Sequence, residues 1–400
     1  MKKIGILTYH WVSNFGAQLQ TLSTYKCIEK SGNIPIIINW IPDDLKRYYD
    51  KYVSKEQNEV HAQYAEKHYK NITKVCHNKF DIAQVIDEEN IDVVIIGSDA
   101  VFSYTPFWSR FVLCKKGLRY IKPLSDFDCP NPFWGDFHEL VKRPIKLVSM
   151  SASAQNTPYR KIISRKEKSK FENAINKFSY ISVRDIWTQK MLSHVTDGKC
   201  FPSITPDPVF AFEYNVAPSN ENYVKDVLGM EGDYAILSLS GKYSNSQWER
   251  ELEELFAKRG ITLIGLPQTN KKFIKSLKYS ISFPLDPLQW YNIIKNASAY
   301  IGELMHPILV SLHNSVPVYV FDNYGFKKNC KFDKESSKTY QIISRFNFEA
   351  NYYHKFHNKS FPTPQMVVDG IMSFDKNKCR DMAEKMYGDY RLMINEILSL

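Results

Sequence analysis

Short apolar runs, each followed by a polar residue and then by a helical pattern, most constrain what this chain can fold into. The first half contains "DVVIIGSD" at 92–99 and "IKLVSMSA" at 145–152, and the second half contains "DYAILSLS" at 233–240, "ITLIGLP" at 261–267 and "VPVYVFD" at 316–322. Unbroken runs of this kind are typical of strands that helices cover on both faces of a parallel sheet. Because the alternation occurs in both halves, the sequence predicts an α/β chain with two Rossmann-like, doubly wound domains that face a cleft.

A polar stretch separates the two alternating regions. It reads "EYNVAPSNENY" at 213–223, so we predict a first domain at 1–215, a second at 216–375 and a C-terminal helix in 376–400. A chain of 400 residues is also longer than one hydrophobic core usually supports. Residues 102–143 interrupt the first domain: they are rich in aromatic residues, Pro and Asp and have no periodicity. We predict a long irregular loop there, and loops of this length are often functional.

Composition narrows the class of protein. The net charge is +10, but the sequence contains no arginine-rich block and no nucleic-acid-binding motif. The charge therefore favours an anionic substrate or an anionic membrane surface over nucleic acid as the binding partner. The seven cysteines are scattered without a CxxC pair, which predicts neither a metal site nor a disulfide framework and fits a reducing cytoplasm. No run approaches the ~20 apolar residues that span a bilayer, and the N-terminus lacks the apolar core of a signal peptide.

Polar residues follow four of the predicted strands. Asp99 ends "IIGSD", and Arg184 lies in "ISVRD". His306 lies where a predicted strand ends and a helix begins, three residues after Glu303. Lys327 and Lys328 lie in "DNYGFKKN", after the next strand. Each has an ordinary structural explanation: a helix cap, an ion pair, a hydrogen-bonding histidine or a solvated surface. Because the carboxyl ends of parallel strands line the ligand crevice in such folds, their shared position favours a site. The chain has no GxGxxG, Walker, HExxH or GxSxG motif, so the enzymes that these motifs mark are not indicated.

Five short motifs, in order, resemble those of the polysaccharide pyruvyl transferases along nearly the whole chain. They are "NFGAQLQ" at 14–20, "GSDAVF" at 97–102, "SVRD" at 182–185, Asp207–Pro208 and "GELMHPILVSL" at 302–312. The resemblance implies a glycosyltransferase-B-like architecture, phosphoenolpyruvate as donor, no cofactor, and a product in which pyruvate forms a ketal with two hydroxyls of one sugar.

The chain departs from the family pattern beside the histidine. Leu304 stands where the family usually has an arginine that is expected to help hold phosphoenolpyruvate, and Glu303 stands where it has Asp. The resemblance implies that His306 is the general acid and that Asp99 or Glu303 is the base that takes a proton from the sugar. No metal is needed for this scheme.

The same resemblance suggests which residues bind the two substrates. Arg184, with Lys327 or Lys328, would face the phosphate and carboxylate of the donor, since both groups are anionic. In the first domain, which faces the acceptor, Asn14 would cap the following helix or bind a sugar hydroxyl, and Gly16 would allow close backbone approach or simply fit the turn.

The aromatic loop offers a further acceptor surface. Its rings suit sugar or prenyl contacts and its cations suit a diphosphate or anionic headgroups; these residues are Trp108, Phe111, Phe133 and Trp134, and Lys115, Lys116, Arg119 and Lys122. We therefore expect a cytoplasmic protein that works at the inner face of the membrane, and the sequence is compatible with either a lipid-linked precursor or a finished polymer as the sugar acceptor. The competing interpretation is a structural flap whose aromatic side chains pack on the first domain or on a second subunit.

Two other functions fit the same sequence. A nucleotide-sugar glycosyltransferase of this architecture would use the same basic cleft for a diphosphate. A non-catalytic subunit of a polysaccharide assembly complex would explain the leucine at position 304. Phosphate release from phosphoenolpyruvate distinguishes the first alternative, and phosphoenolpyruvate binding distinguishes the second.

Overall fold

The computed structural model describes residues 1–400 except 115–116, 219–222, 241–242, 244, 269–275, 329–330 and 359, and it describes the side chains of neither 327–328 nor 331. The strands, in chain order, are β1 (Lys3–Leu7), β2 (Ile34–Ile37), β3 (Val93–Asp99), β4 (Phe111–Cys114), β5 (Gly117–Tyr120), β6 (Lys146–Ala152), β7 (Tyr180–Val183), β8 (Ser203–Ile204), β9 (Asp233–Ser238), β10 (Ile261–Gly265), β11 (Tyr279–Ser280), β12 (Ala299–Gly302), β13 (Val318–Asp322), β14 (Phe326–Lys328), β15 (Lys331–Asp333) and β16 (Tyr352–His354).

The helices cover the sheets and connect their strands. They are α1 (Phe15–Lys30), α2 (Asp43–Tyr52), α3 (Lys55–His68), α4 (Lys79–Glu89), α5 (Arg165–Ile175), α6 (Ile186–Val195), α7 (Phe212–Val216), α8 (Tyr223–Asp226), α9 (Ser246–Ala257), α10 (Pro287–Lys295), α11 (Met305–His313), α12 (Lys338–Arg345), α13 (Pro364–Met372) and α14 (Lys376–Ser399).

Two six-stranded parallel sheets organise the molecule, as the apolar runs predict. The first sheet has the order β2-β1-β3-β6-β7-β8 and the second β11-β10-β9-β12-β13-β16, with parallel pairing throughout. Each order reverses beside its first strand, between β1 and β3 and between β9 and β12. Such reversal points open a crevice at the carboxyl edge of the sheet, so the topology alone marks where ligands would bind.

The two domains are in contact across the cleft through helices and loops. Phe15, at the start of α1, stacks on Trp290 of α10 with ring centroids 4.9 Å apart. Gln57 of α3 exchanges two hydrogen bonds with the backbone of Leu285, at 2.8 and 2.9 Å. The buried apolar cluster that contains Phe15 includes residues from both sheets and from α14. The predicted C-terminal helix is therefore present, and it packs back on the first sheet through Met393, whose sulfur accepts from Ser151 at 3.4 Å.

The loop at 102–143 is more ordered than the sequence predicts. It contains the antiparallel hairpin β4–β5, in which Phe111 pairs with Tyr120, and several short 3₁₀ turns. The hairpin has no hydrophobic periodicity because both its faces are solvent-exposed. Leu113 and its cross-strand partner Leu118 are 82% and 68% exposed on one face, and Val112 is 40% exposed on the other. Lys115 and Lys116, which we assigned to the acceptor surface, lie outside the described residues.

Candidate active site

A cavity of about 200 Å³ opens where the two reversal points face each other. The first sheet contributes the start of α1 and the end of β3, and the second contributes residues after β9, β10 and β12. Its lining includes Asn14, Phe15, Gly16, Asp99, Gln155, Gln268, Trp290, Leu304, His306 and Lys338. The cavity therefore brings together five of the residues that the sequence selected: Asn14, Gly16, Asp99, Leu304 and His306.

The start of α1 forms one wall. Asn14 is the N-cap, and its side-chain oxygen accepts from the backbone N–H of Ala17 at 3.3 Å, which confirms the predicted cap. Gly16 has a different neighbour from the one expected, because the ring of His306 fills the space above it. A Cβ atom at Gly16 would lie 1.9 Å from His306 Cγ, so glycine here makes room for the histidine.

His306 is the second residue of α11 and reaches the first domain from the second. Its Nε2 is buried and has no hydrogen-bond partner among the described residues. Burial lowers the pKa of His306; the carboxylates of Asp99 and Asp207 oppose this shift, and the charges of Arg184 and Lys338 add to it. The imidazole is therefore mainly neutral at pH 7, and an anion bound beside it would raise its pKa.

The backbone at Asp99 is unusual for a residue with a side chain. Its φ is 84°, a region that residues other than glycine rarely adopt and that is often found at functional sites. One carboxylate oxygen accepts from the N–H of Ala100 at 2.8 Å and lies 3.9 Å from Nη2 of Arg184. The strained turn directs a carboxylate into the cavity instead of leaving it on the surface as a cap.

Arg184 lies behind Asp99, in an adjoining cavity of about 20 Å³. Its Nη1 donates to Asp207 at 2.6 Å, and Gln20 of α1 donates to the same oxygen at 2.5 Å. Burial alone lowers the pKa of Arg184, but Asp207, Asp99 and Asp185 raise it by more. Its Nε and Nη2 are buried without hydrogen-bond partners among the described residues, so the guanidinium keeps donors for an anion or a water.

The other sequence-selected residues of the second domain behave differently. Glu303 is buried and does not line the cavity; its carboxylate accepts from the N–H of Ser240 at 2.7 Å and from Gln268 at 3.0 Å. A carboxylate used in this way shapes the wall and is poorly placed to take a proton from a sugar. Leu304 lines the cavity as the N-cap of α11, without a side-chain hydrogen bond. The backbone of 327–328 lies in β14, and the side chains of both lysines are outside the described part.

The two candidate tryptophans of the long loop have opposite environments. Trp134 is fully buried and stacks on Phe102 with centroids 4.2 Å apart, so its ring has no free face for a sugar. Its neighbour Phe133 is buried too. Trp108 is 60% exposed and lines a separate cavity of about 460 Å³ near the start of α5. The packing interpretation therefore describes Trp134, whereas Trp108 remains available for contacts.

Lys338 is the residue of the site that sequence reasoning missed. It is the first residue of α12 and lines both cavities. Ser337, the N-cap of α12, accepts from the N–H of Tyr340 at 3.0 Å and also donates a short hydrogen bond to Asp322 at the end of β13. The only available signal was its proximity in sequence to β13, since "SSKTYQ" contains no motif.

The geometry joins a histidine, a carboxylate and two cations, and the comparisons with known proteins show which family the chain belongs to. The profile of the family described as "Polysaccharide pyruvyl transferase" matches residues 14–324. The chain belongs to this family. Membership implies a transferase that acts on a polysaccharide-type substrate, and the motifs that suggested the resemblance lie within the matched residues. No curated protein sequence matches the chain significantly.

Solved structures share the fold of this pyruvyl transferase family member at low identity. S. aureus MnaA in complex with UDP superposes with a TM-score of 0.54 at 12% identity, over 99% of this chain and 96% of that chain. A putative UDP-N-acetylglucosamine 2-epimerase from Listeria monocytogenes gives 0.54 at 10% identity, over 100% and 96%. The spinosyn forosaminyltransferase SpnP gives 0.50 at 8% identity, over 98% and 95%. These likenesses confirm the glycosyltransferase-B-like fold.

No three His, Cys, Asp or Glu side chains in the described part of the chain are grouped so that they could hold a metal ion. Among its helices, none combines the length and apolar character that crossing a bilayer requires.

Proposed function

We propose that this chain transfers the enolpyruvyl unit of phosphoenolpyruvate to two hydroxyls of one sugar, forming a pyruvate ketal and releasing phosphate in surface-polysaccharide synthesis. The observation that carries the proposal is the position of His306. It lies against Gly16 of the facing domain, in one cavity with Asp99 and Lys338. This constellation supplies an acid, a base and a cation where two substrates would meet.

The reaction makes defined demands on protons. One sugar oxygen bonds to C2 of phosphoenolpyruvate while C3 gains a proton and becomes the methyl group; the second sugar oxygen then bonds to C2 as the C2–O bond to phosphate breaks. The two hydroxyl protons balance the new methyl C–H bond and the proton carried by the released phosphate. A single acid–base pair that faces both substrates can handle these transfers.

The described residues provide such a pair. His306 is the general acid: its pKa is low in the free protein and rises when the donor anion binds beside it. Asp99 is the base for the sugar hydroxyl, because its carboxylate lines the cavity and the competing Glu303 does not. The N-terminus of α11 lacks a side-chain cap, so its first N–H groups remain available to the donor, as helix N-termini commonly are to anions.

Calorimetric titration with phosphoenolpyruvate, followed by phosphate release in the presence of candidate sugars, tests this function. We expect binding without any acceptor, sugar-dependent phosphate release, and a loss of turnover of about a hundredfold or more in His306→Gln. Donor binding by His306→Gln should be retained at pH 8, where the imidazole of the free wild-type protein is neutral. Release of a nucleotide from a nucleotide sugar would instead support the glycosyltransferase hypothesis. S. aureus MnaA, which shares the fold, has been solved with UDP bound. A protein that binds neither donor would be a non-catalytic subunit.

The acceptor side is formed by the exposed hairpin and by the start of α5. Both follow strands of the first sheet at its carboxyl edge, and Arg160 in the loop before α5 contacts Asp333 of the second domain at 2.8 Å, so this surface borders the cleft. Its exposed apolar and basic residues are Phe107, Trp108, Leu113, Leu118, Ile121, Arg119, Lys122, Lys166 and Lys170. Apolar side chains flanked by cations suit an anionic membrane that carries a lipid-linked acceptor.

Vesicle cosedimentation tests that surface. Vesicles with phosphatidylglycerol should retain the protein better than vesicles of phosphatidylcholine alone, and the Leu113→Glu, Leu118→Glu double variant should lose most of this retention. Leu392→Glu is the matched control, since Leu392 is equally exposed on α14, at 72%. If vesicles retained the double variant as well as the wild type, the hairpin would not be part of the membrane-binding surface.

A further inference from the structure

Lys338 has an environment that disfavours its charge. Burial and the charge of Arg184 lower the pKa of its ammonium group, and three aspartates, Asp99, Asp185 and Asp322, oppose this shift. In the part of the chain that the structure describes, no carboxylate lies within 4.0 Å of its Nζ and no hydrogen bond holds it. A cation at the first position of a helix is also unfavourable, because it meets the positive end of the helix dipole.

The backbone of Lys338 is nevertheless firmly fixed. Ser337 bonds both to Asp322 and to the N–H of Tyr340, and Asp322 also accepts from Tyr352 at 2.6 Å. The network attaches the start of α12 to the carboxyl end of β13. Lys338 is held at a cavity wall and, in the described part of the chain, has no ion-pair partner within 4.0 Å, so its ammonium donors are available for a ligand.

Among the described residues that line the cavity, Lys338 is the only lysine or arginine. Leu304 and the uncapped start of α11 line the same cavity as Lys338, and Arg184 is engaged by Asp207. We infer that Lys338 is the principal donor-binding cation of this protein and that it provides, from α12, the charge that Leu304 cannot provide from α11. The inference rests on the proposed function. Lys338 lies outside residues 14–324, which match the family profile, so the family match itself assigns it no role.

Lys338→Met tests the inference, since methionine keeps the length of the side chain and removes the charge. We expect the dissociation constant for phosphoenolpyruvate to rise about tenfold to a hundredfold, the range for one lost charge-assisted hydrogen bond. The change should appear in KM for the donor, with kcat altered only a few-fold. The melting temperature should not fall, because the substitution removes a repulsion with Arg184.

Two further variants sharpen the result. Lys376→Met is the matched control: Lys376 is also the first residue of a helix, α14, but is exposed away from the cavity, so donor affinity should not change. Leu304→Arg added to Lys338→Met should restore much of the affinity, because the new guanidinium reaches the same cavity. Titration with inorganic phosphate shows which group is bound: a parallel loss in Lys338→Met indicates the phosphate of the donor, and a loss confined to phosphoenolpyruvate indicates its carboxylate.

Phosphoenolpyruvate binding by the wild type and by Lys338→Met distinguishes a failure of the proposed function from a failure of the Lys338 assignment. If the wild-type protein does not bind phosphoenolpyruvate, the proposed function itself fails. If the wild type binds it and Lys338→Met binds it equally well, the proposed function stands and the assignment of Lys338 is overturned.

Discussion

Gly16 allows the sharpest test of how the two domains build the site. A Cβ atom at this position would lie 1.9 Å from Cγ, 2.0 Å from Nδ1 and 2.4 Å from Cδ2 of His306. Unbonded carbon atoms prefer separations of about 3.5 to 4.0 Å, so Gly16→Ala must displace the imidazole by about 1.5 to 2 Å. The contacted atoms belong to the rigid imidazole ring, close to the backbone of His306. The ring therefore has little freedom to rotate away from an added Cβ atom.

The displacement predicts effects on both activity and stability. A misplacement of about 1 Å can lower turnover by about a hundredfold, so we expect at least that loss in Gly16→Ala. Overpacking costs about 1 to 3 kcal/mol, and replacing glycine with alanine inside a helix returns about 0.5 to 1 kcal/mol. The net loss in the free energy of unfolding should therefore be at most about 2.5 kcal/mol, as urea unfolding would measure.

Gly388→Ala is the matched control. Gly388 lies within α14, and an added Cβ atom there would meet nothing within 4 Å. The same substitution should therefore stabilise the protein by about 0.5 to 1 kcal/mol and leave turnover unchanged. If Gly16→Ala kept wild-type turnover in the phosphate-release assay, either His306 would not be held against α1 or it would not be the acid. A loss of stability without a loss of turnover would contradict the catalytic argument in particular.

Further predictions follow from the neighbouring residues. Burial lowers the pKa of His306 in the free protein and a bound anion raises it, so phosphoenolpyruvate binding should take up a proton and become tighter as the pH falls from 8 to 6. Calorimetry in two buffers measures the number of protons taken up. The titration of the donor itself remains in His306→Gln, so this variant should lose only the contribution of His306. Arg184→Met should lower the free energy of unfolding by about 3 to 5 kcal/mol, since it leaves Asp207 buried without its counter-charge; an unchanged urea midpoint and slope would contradict this. Trp134→Ala should destabilise the fold by about 3 to 5 kcal/mol, whereas Trp108→Ala should raise the apparent acceptor constant with an unchanged melting temperature; the reverse pattern would refute the two assignments.

The fold could be predicted because its signals are local. Buried parallel strands appear in the sequence as continuous apolar runs, such as "VVIIG" at 93–97, and an asparagine before a helical pattern predicts a cap wherever it lies. The position of His306 at a strand-to-helix junction could also be predicted from the local sequence, because the turn after a parallel strand lies at the carboxyl edge of the sheet.

The rest depends on contacts between distant segments. The role of Gly16 depends on a histidine 290 positions later in the sequence, and no local pattern distinguishes a glycine that accommodates a ring from one that permits a turn. Trp134 and Trp108 lie in one aperiodic loop. Trp134 is a core residue because the rings of Phe102 and Phe171 pack on it, which the sequence of the loop does not indicate. Lys338 enters the cavity because Ser337 bonds to Asp322, a pairing that neither spacing nor composition indicates.

The central claim is that the facing domains bring a phosphoenolpyruvate donor and a sugar acceptor together at His306. The most direct measurement follows ¹³C-labelled phosphoenolpyruvate by NMR in the presence of candidate sugar acceptors, with phosphate release recorded in parallel. The account predicts that C2 of the donor becomes a ketal carbon bonded to two sugar oxygens, with one phosphate released per ketal, and that His306→Gln forms neither product at a comparable rate. Labelled donor that stays intact while the protein consumes a nucleotide sugar with the same acceptor would contradict it.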